Sequence, residues 1–261
     1  MSIEKSEAVI LKSFNWSESS RTVVFFTLNF GRLALVDKGG RSLKTKRGRL
    51  IPFSRMEITF YHSEKESRGY ISDAELLEPF SMEKDGSLGR LAYSSAACEL
   101  LLKLLPEEQP QNQLYHYLIN FLKHMEKDDK KYLPAVFIAF YLRLLSQLGY
   151  HPSLAYCASC GNDIDKTITG NQIFFDVRKG GIICATCQKP TDDYISFPKE
   201  TYKLLLALQT ASLNEAATLP IGYKKAALLL EILTKFIGNQ TGDIINLNSL
   251  EFIEKLKNGQ Q

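Results

Sequence analysis

The sequence predicts an α+β protein. A small N-terminal β-barrel is expected over residues 1–80, followed by an all-α domain over residues 81–261 with a four-cysteine hairpin inserted at about residues 151–198. Three observations carry this reading. Short β-branched and aromatic runs fill the first 80 residues, the apolar spacing turns helical after Pro79, and four of the five cysteines form Cys157-Ala-Ser-Cys160 and Cys184-Ala-Thr-Cys187. With 261 residues the chain can bury a core without covalent staples. Hydrophobic residues at 44% and charged residues at 23% exclude general disorder. No apolar run approaches the roughly 20 residues that cross a bilayer. The N-terminal Met1-Ser2-Ile3-Glu4-Lys5-Ser6-Glu7 holds two acids before a short apolar run, unlike a secretory signal, so a cytoplasmic location is expected.

The barrel strands are read from short apolar and β-branched runs, one of which alternates with period two. Residues 8–14 are apolar with interruptions, residues 22–28 form a β-branched and aromatic run, and Asn29-Phe30-Gly31 turns the chain into residues 32–36. In residues 56–61, Met56, Ile58 and Phe60 alternate with more polar neighbours, and residues 68–77 supply a last strand. Five strands without a crossover helix suit a small antiparallel barrel. Beyond Pro79, Leu88, Leu91, Ala92, Ser95, Leu102 and Leu105 share a helical face, and Pro106 ends that helix. Leu114, Leu118, Phe121 and Met125 mark a second helix. The third, residues 134–148, is apolar almost all round and should be the buried centre of a bundle. Residues 199–211, 223–237 and 250–256 return to helix.

Two CxxC pairs separated by 23 residues match a four-thiolate zinc site, because each tight turn lets two sulfurs reach one tetrahedral ion. Cys157, Cys160, Cys184 and Cys187 are therefore read as ligands of one structural zinc. Gly161 suits a turn of positive φ, and residues 172–176 and 180–183 read as a hairpin between the knuckles. An iron–sulfur cluster also uses four thiolates, whereas a redox dithiol lacks its βαβ setting here. Cys98 reads as a small buried hydrophobe.

The charge is unevenly placed. Residues 32–55 hold eight basic side chains and one acid, a local +7; the chain as a whole is +3, so the remainder carries −4. Arg32, Lys38, Arg41, Lys44, Lys46, Arg47 and Arg49 are read as phosphate contacts, since loops between barrel strands hold oligonucleotides and such a patch gives sequence-independent affinity. The alternative is a solvated charge run. Phe14, Trp16, Phe30 and Tyr70 are candidates by type for base stacking. The Gly39-Gly40 pair is no P-loop, because no GKS or GKT follows. No histidine forms a metal-ligand pair, and no hydrolase or nucleotide-binding motif is present, so no enzymatic activity is expected.

Several segments resemble the RecO family of bacterial DNA-repair proteins. They are Glu7-Ala-Val-Ile-Leu-Lys12, Glu18-Ser-Ser-Arg21 ahead of Phe25-Phe26-Thr27, Phe30-Gly31, Lys38-Gly39 with Arg41, Pro52-Phe53-Ser54 and Ala74-Glu75-Leu76-Leu77. The helix end Leu142-Arg143-Leu144-Leu145, then Leu148-Gly149-Tyr150 and Cys157-x-x-Cys160-Gly161, is similar to that family's passage from bundle to knuckle. Phe174-Phe175-Asp176 and Gly180-Gly181 before Cys184 fit the second half. The resemblance implies an OB-fold barrel and a non-enzymatic recombination mediator, nucleoid-associated when acting. Such a protein binds single- and double-stranded DNA, anneals complementary strands, and works with RecR and single-stranded-DNA-binding protein to load RecA. Two alternatives stand beside it: a zinc-stabilised interaction module without DNA binding, and a metal-dependent nucleic-acid enzyme. Residues 238–261 depart from the family pattern in having few basic residues.

Overall fold

The computed structural model describes residues 2–15, 20–40, 50–62, 69–83, 88–168, 170–190 and 193–252. Its elements fall into two compact units, Met1–Lys127 with Leu247–Gln261, and Asp128–Asn246.

The first unit opens with five strands: β1 (Ser2–Asn15), β2 (Arg21–Thr27), β3 (Gly31–Asp37), β4 (Ser54–His62) and β5 (Gly69–Pro79). They close into a barrel in the order β1-β2-β3-β5-β4. All neighbours are antiparallel except β3 and β5, which run parallel through Leu35↔Gly69 and Val36↔Tyr70. Alternation puts Val23, Phe25, Leu33, Leu35, Met56, Ile58, Phe60 and Ile71 into one interior cluster. On β2 the outward side is buried as well: Val24 and Phe26 are covered, and Phe26 meets Tyr115 edge-on at 5.6 Å. Tyr115 belongs to α2 (Asn112–Lys127), which packs beside α1 (Leu88–Leu104).

The face expected for α1 holds at Ala92 and Leu105, which are buried, and requires correction at Leu88 and Leu91. Leu88 and Leu91 are 53% and 41% exposed, while Arg90, Ser94, Ala97, Cys98 and Leu101 are buried. The helix lies against both β1 and α2, and the small residues Ser94, Ala96, Ala97 and Cys98 permit close approach on two sides. Arg90 is buried because its guanidinium donates to the carbonyls of Met125 and Glu126 at 2.5 and 3.2 Å, satisfying the end of α2. Chain returning at Leu247 is tied in by Ser249, whose N–H and hydroxyl donate to Glu99 at 3.2 and 2.7 Å. Of the expected terminal helix, residues 253–256 lie outside the described residues.

The second unit is built on α3 (Leu133–Gln147), in which eleven residues are buried, among them Phe137, Phe140 and Tyr141. Around it pack α5 (Lys199–Thr210), α6 (Leu213–Ala216) and α7 (Tyr223–Thr241). Between α3 and α5 the chain forms a short helix α4 (Ile164–Thr167) and a three-stranded sheet, β7-β6-β8, from β6 (Gln172–Asp176), β7 (Gly181–Ile183) and β8 (Ile195–Pro198). No helix among the described residues is long and apolar enough to cross a membrane.

Gly69 is placed where a Cβ would collide with the Tyr61 carbonyl oxygen and press on the Leu35 side chain. Gly69→Ala is therefore expected to strain the β3–β5 closure and destabilise the first unit by about 1–3 kcal/mol, read as a lowered urea midpoint. An unchanged midpoint would show that the closure tolerates a methyl group there.

Candidate metal centre and nucleic-acid interface

The β6–β7 hairpin sets the position of both cysteine pairs. Its turn is fixed by Asp176, whose buried carboxylate accepts from the N–H groups of Arg178 and Lys179 at 2.9 and 3.1 Å. The first knuckle is then laid along β7: Ser153 N–H donates to Gly180, Ile182 N–H to Ser153, and Ala158 N–H to Ile182, all at 2.8–2.9 Å. That approach needs Gly181, where any Cβ would run into Ser153. The loop closes through Cys157 N–H to Asn162 (2.8 Å) and Gly161 N–H to Cys157 (2.9 Å), with Gly161 at φ +74° as its place after the pair requires. The second knuckle leaves the end of β7 directly, and a 3₁₀ turn over Ala185–Cys187 brings Cys187 N–H to the Cys184 carbonyl at 3.0 Å.

These constraints gather four sulfurs. Those of Cys157, Cys160, Cys184 and Cys187 all lie within 4.8 Å of one another, and Cys160 and Cys184 are 3.7 Å apart. A tetrahedral ion with bonds of about 2.3 Å has edges of about 3.8 Å. The cysteines are positioned to hold a metal ion, in a geometry compatible with zinc. All four are unpaired by disulfides, and Cys157 and Cys184 are buried while Cys160 is exposed. The Cys157 sulfur accepts from the N–H groups of Cys184 and Ser159 at 3.4 and 3.5 Å. Burial pushes this thiol up, but the backbone amides around it outweigh that and bring it down to about 6. The neighbouring Cys160 and Cys184 sulfurs push Cys187 up to about 12. Four adjacent sulfurs cannot all ionise without a cation between them. Cys98 is separate: burial first, then the nearby Glu99 charge, pushes it up to about 12, and its sulfur faces only the Ile10 carbonyl at 3.9 Å.

Of the seven expected phosphate contacts, Arg41, Lys44, Lys46, Arg47 and Arg49 lie outside the described residues, as does Trp16. Arg32 is engaged within the first unit: its Nε donates to the Leu105 carbonyl at 3.0 Å, and it pairs with Glu107 at 3.3 Å. Lys38 stands 4.3 Å from the centroid of the Tyr70 ring. The turn it begins is anchored by Asp37, which is buried against Arg21 at 2.8 Å. Arg55 binds Glu7 through two hydrogen bonds of 2.8 and 2.7 Å, which hold that carboxyl below the usual range against the effect of burial. Phe30 packs edge-on against Phe60 at 5.3 Å, partly buried against the barrel core, whereas Phe14 is exposed.

A closed barrel with helices in one unit, and in the other a four-cysteine knuckle set on its own small sheet and positioned to hold a metal ion, define a protein of two units. The family models "Recombination protein O N terminal" and "Recombination protein O C terminal" match residues 1–80 and 86–251. The chain is 27% identical over 239 residues to the DNA repair protein RecO of Anaeromyxobacter sp. (strain K), covering 91% of each. It is 26% identical to that of Symbiobacterium thermophilum over the full length of both, and 25% identical to that of Listeria monocytogenes serovar 1/2a over 97% of this chain and 95% of the relative. The chain belongs to the RecO family of DNA repair and recombination proteins.

Metal binding should release protons at neutral pH, because Cys187 is protonated there and must become a thiolate to ligate. Affinity should accordingly fall as the pH is lowered through about 6, where Cys157 also takes up its proton. Zinc titration calorimetry in two buffers of different ionisation enthalpy reads the proton count directly; identical heats would contradict the assignment.

Proposed function

We propose that this protein is a non-enzymatic recombination mediator that holds single- and double-stranded DNA on its N-terminal barrel and anneals complementary strands. The reading extends to loading RecA, together with RecR, on strands coated by single-stranded-DNA-binding protein. The observation that carries it is the concentration of charge: a local +7 lies in residues 32–55, which span β3, the connection to β4 and its first residues. The barrel's β1-β2-β3-β5-β4 order is that of an OB fold, whose inter-strand loops are its usual oligonucleotide surface. One structural zinc on Cys157, Cys160, Cys184 and Cys187 would stiffen the second unit. Four sulfurs fill a tetrahedron and leave no position for a reacting water, which favours this role over metal-dependent catalysis.

Replacing Arg41, Lys44, Lys46 and Arg47 by alanine removes up to four phosphate contacts. The log–log salt slope for single strands is expected to shrink by about 0.7 per contact, at most roughly 3, and strand annealing should fall with it. Zinc content should be unchanged, since these residues are remote in sequence from the cysteines. A variant that keeps its affinity and its slope would reduce the segment to a solvated charge run.

A second check concerns the metal. Protein purified without chelators should carry one zinc per chain, and Cys184→Ser should lose it together with protection of residues 151–198 from proteolysis. Iron in place of zinc would favour the cluster alternative.

A further inference from the structure

The outward face of the barrel carries a row of aromatic and aliphatic side chains at one end of its strands. Strand register places Val36, Tyr70, Tyr61 and Ile3 side by side across β3, β5, β4 and β1. Phe60 and Ile71, one step along, are buried in the interior, so this row points the other way. Ile3 is 62% exposed, and both tyrosines keep part of their surface in solvent. The tyrosine rings stack at 4.7 Å between centroids, 26° from parallel, and the Lys38 ammonium sits over Tyr70. Beyond a bulge in β5 the strands next carry acids. Thr59↔Asp73 and Glu57↔Glu75 follow, with Lys5 paired to Glu57 at 2.5 Å.

A cross-strand tyrosine pair stabilises a hairpin by itself, but that role alone calls for neither the adjoining cation nor the exposed isoleucine. Together they combine a flat π-surface, an ammonium group and apolar flanks, beside the end of β3 from which the chain enters its basic stretch. The acids down the strand repel phosphate and confine a bound backbone to that end.

We propose that Tyr61 and Tyr70, with Lys38, form a stacking platform for an unpaired nucleobase, and that this is how the barrel distinguishes single from double strands. The inference rests on the DNA-binding reading above and deepens it. A paired base has both faces covered by its neighbours in the helix, whereas an unpaired base is free to leave the strand and lie on an aromatic ring. Lys38 then reaches the phosphate beside that base, as a compact cation on a flexible stem does.

The test uses the full-length protein, an oligothymidylate, and a blunt duplex of equal length at one salt concentration. Y61L/Y70L should lose oligothymidylate affinity on the order of tenfold or more, with duplex affinity and salt slope unchanged. Y61F/Y70F should bind as the parent does. Independently of any variant's folding, a single strand carrying aminopurine should lose fluorescence when the parent protein binds it. Equal losses on both substrates, no loss on either, or binding without quenching would each overturn the platform. A parent protein that binds neither nucleic acid overturns the DNA reading itself, and the platform with it.

Discussion

The first unit depends on closure of its barrel by two residue pairs. Leu35↔Gly69 and Val36↔Tyr70 form the one parallel seam in a sheet that is otherwise antiparallel, and parallel pairing is the weaker kind per residue. Without it β3 and β5 would each present an open edge, with the aggregation risk that edges bring. The seam also brings Tyr70 beside Val36, and so sets Lys38 over the tyrosine ring. Charge and aromatic surface thus meet at a point fixed by backbone hydrogen bonding.

The second unit solves a different problem. Its three-stranded sheet has short strands, β7 of only three residues, and a sheet of this size has little core of its own. Backbone pairing of residues 153–158 with β7 supplies register, and four sulfurs are positioned so that one ion would cross-link the two knuckles. Packing adds the rest: Phe175 is fully buried and meets Phe236 of α7 edge-on at 6.2 Å.

Much of this was legible in the sequence because the responsible physics is local. The alternation of Met56, Ile58 and Phe60 names the buried face of β4, and the all-round apolar α3 could only be interior. CxxC spacing is itself a statement about geometry, and the sulfurs meet as it implies. The failures have non-local causes. The face of α1 does not follow from its leucines, because a helix with neighbours on two sides buries its small residues. Arg90 gave no signal, since nothing in its surroundings shows that the end of α2 needs donors. β8 has four residues and pairs only because β6 is there to receive it. For α6 the sequence does carry a local signal: Ser212-Leu-Asn-Glu215 is a capping box, and its reciprocal bonds form at 3.2 and 2.7 Å.

The chain leaves the first unit after Lys127 and returns to it only at Leu247. The whole second unit is thus a continuous excursion, whereas the first is assembled from two distant stretches. On the ribosome this order has a consequence. The residues that make up the second unit emerge together and can fold as soon as they are clear of the exit tunnel, domains generally folding as units during synthesis. The first unit must wait, its barrel and two helices made early but lacking the Ser249–Glu99 bonds until synthesis is nearly finished. A ribosome that stalls late would hold a second unit complete in sequence, and a first unit whose barrel strands are all made but whose α1 still lacks its Ser249 partner.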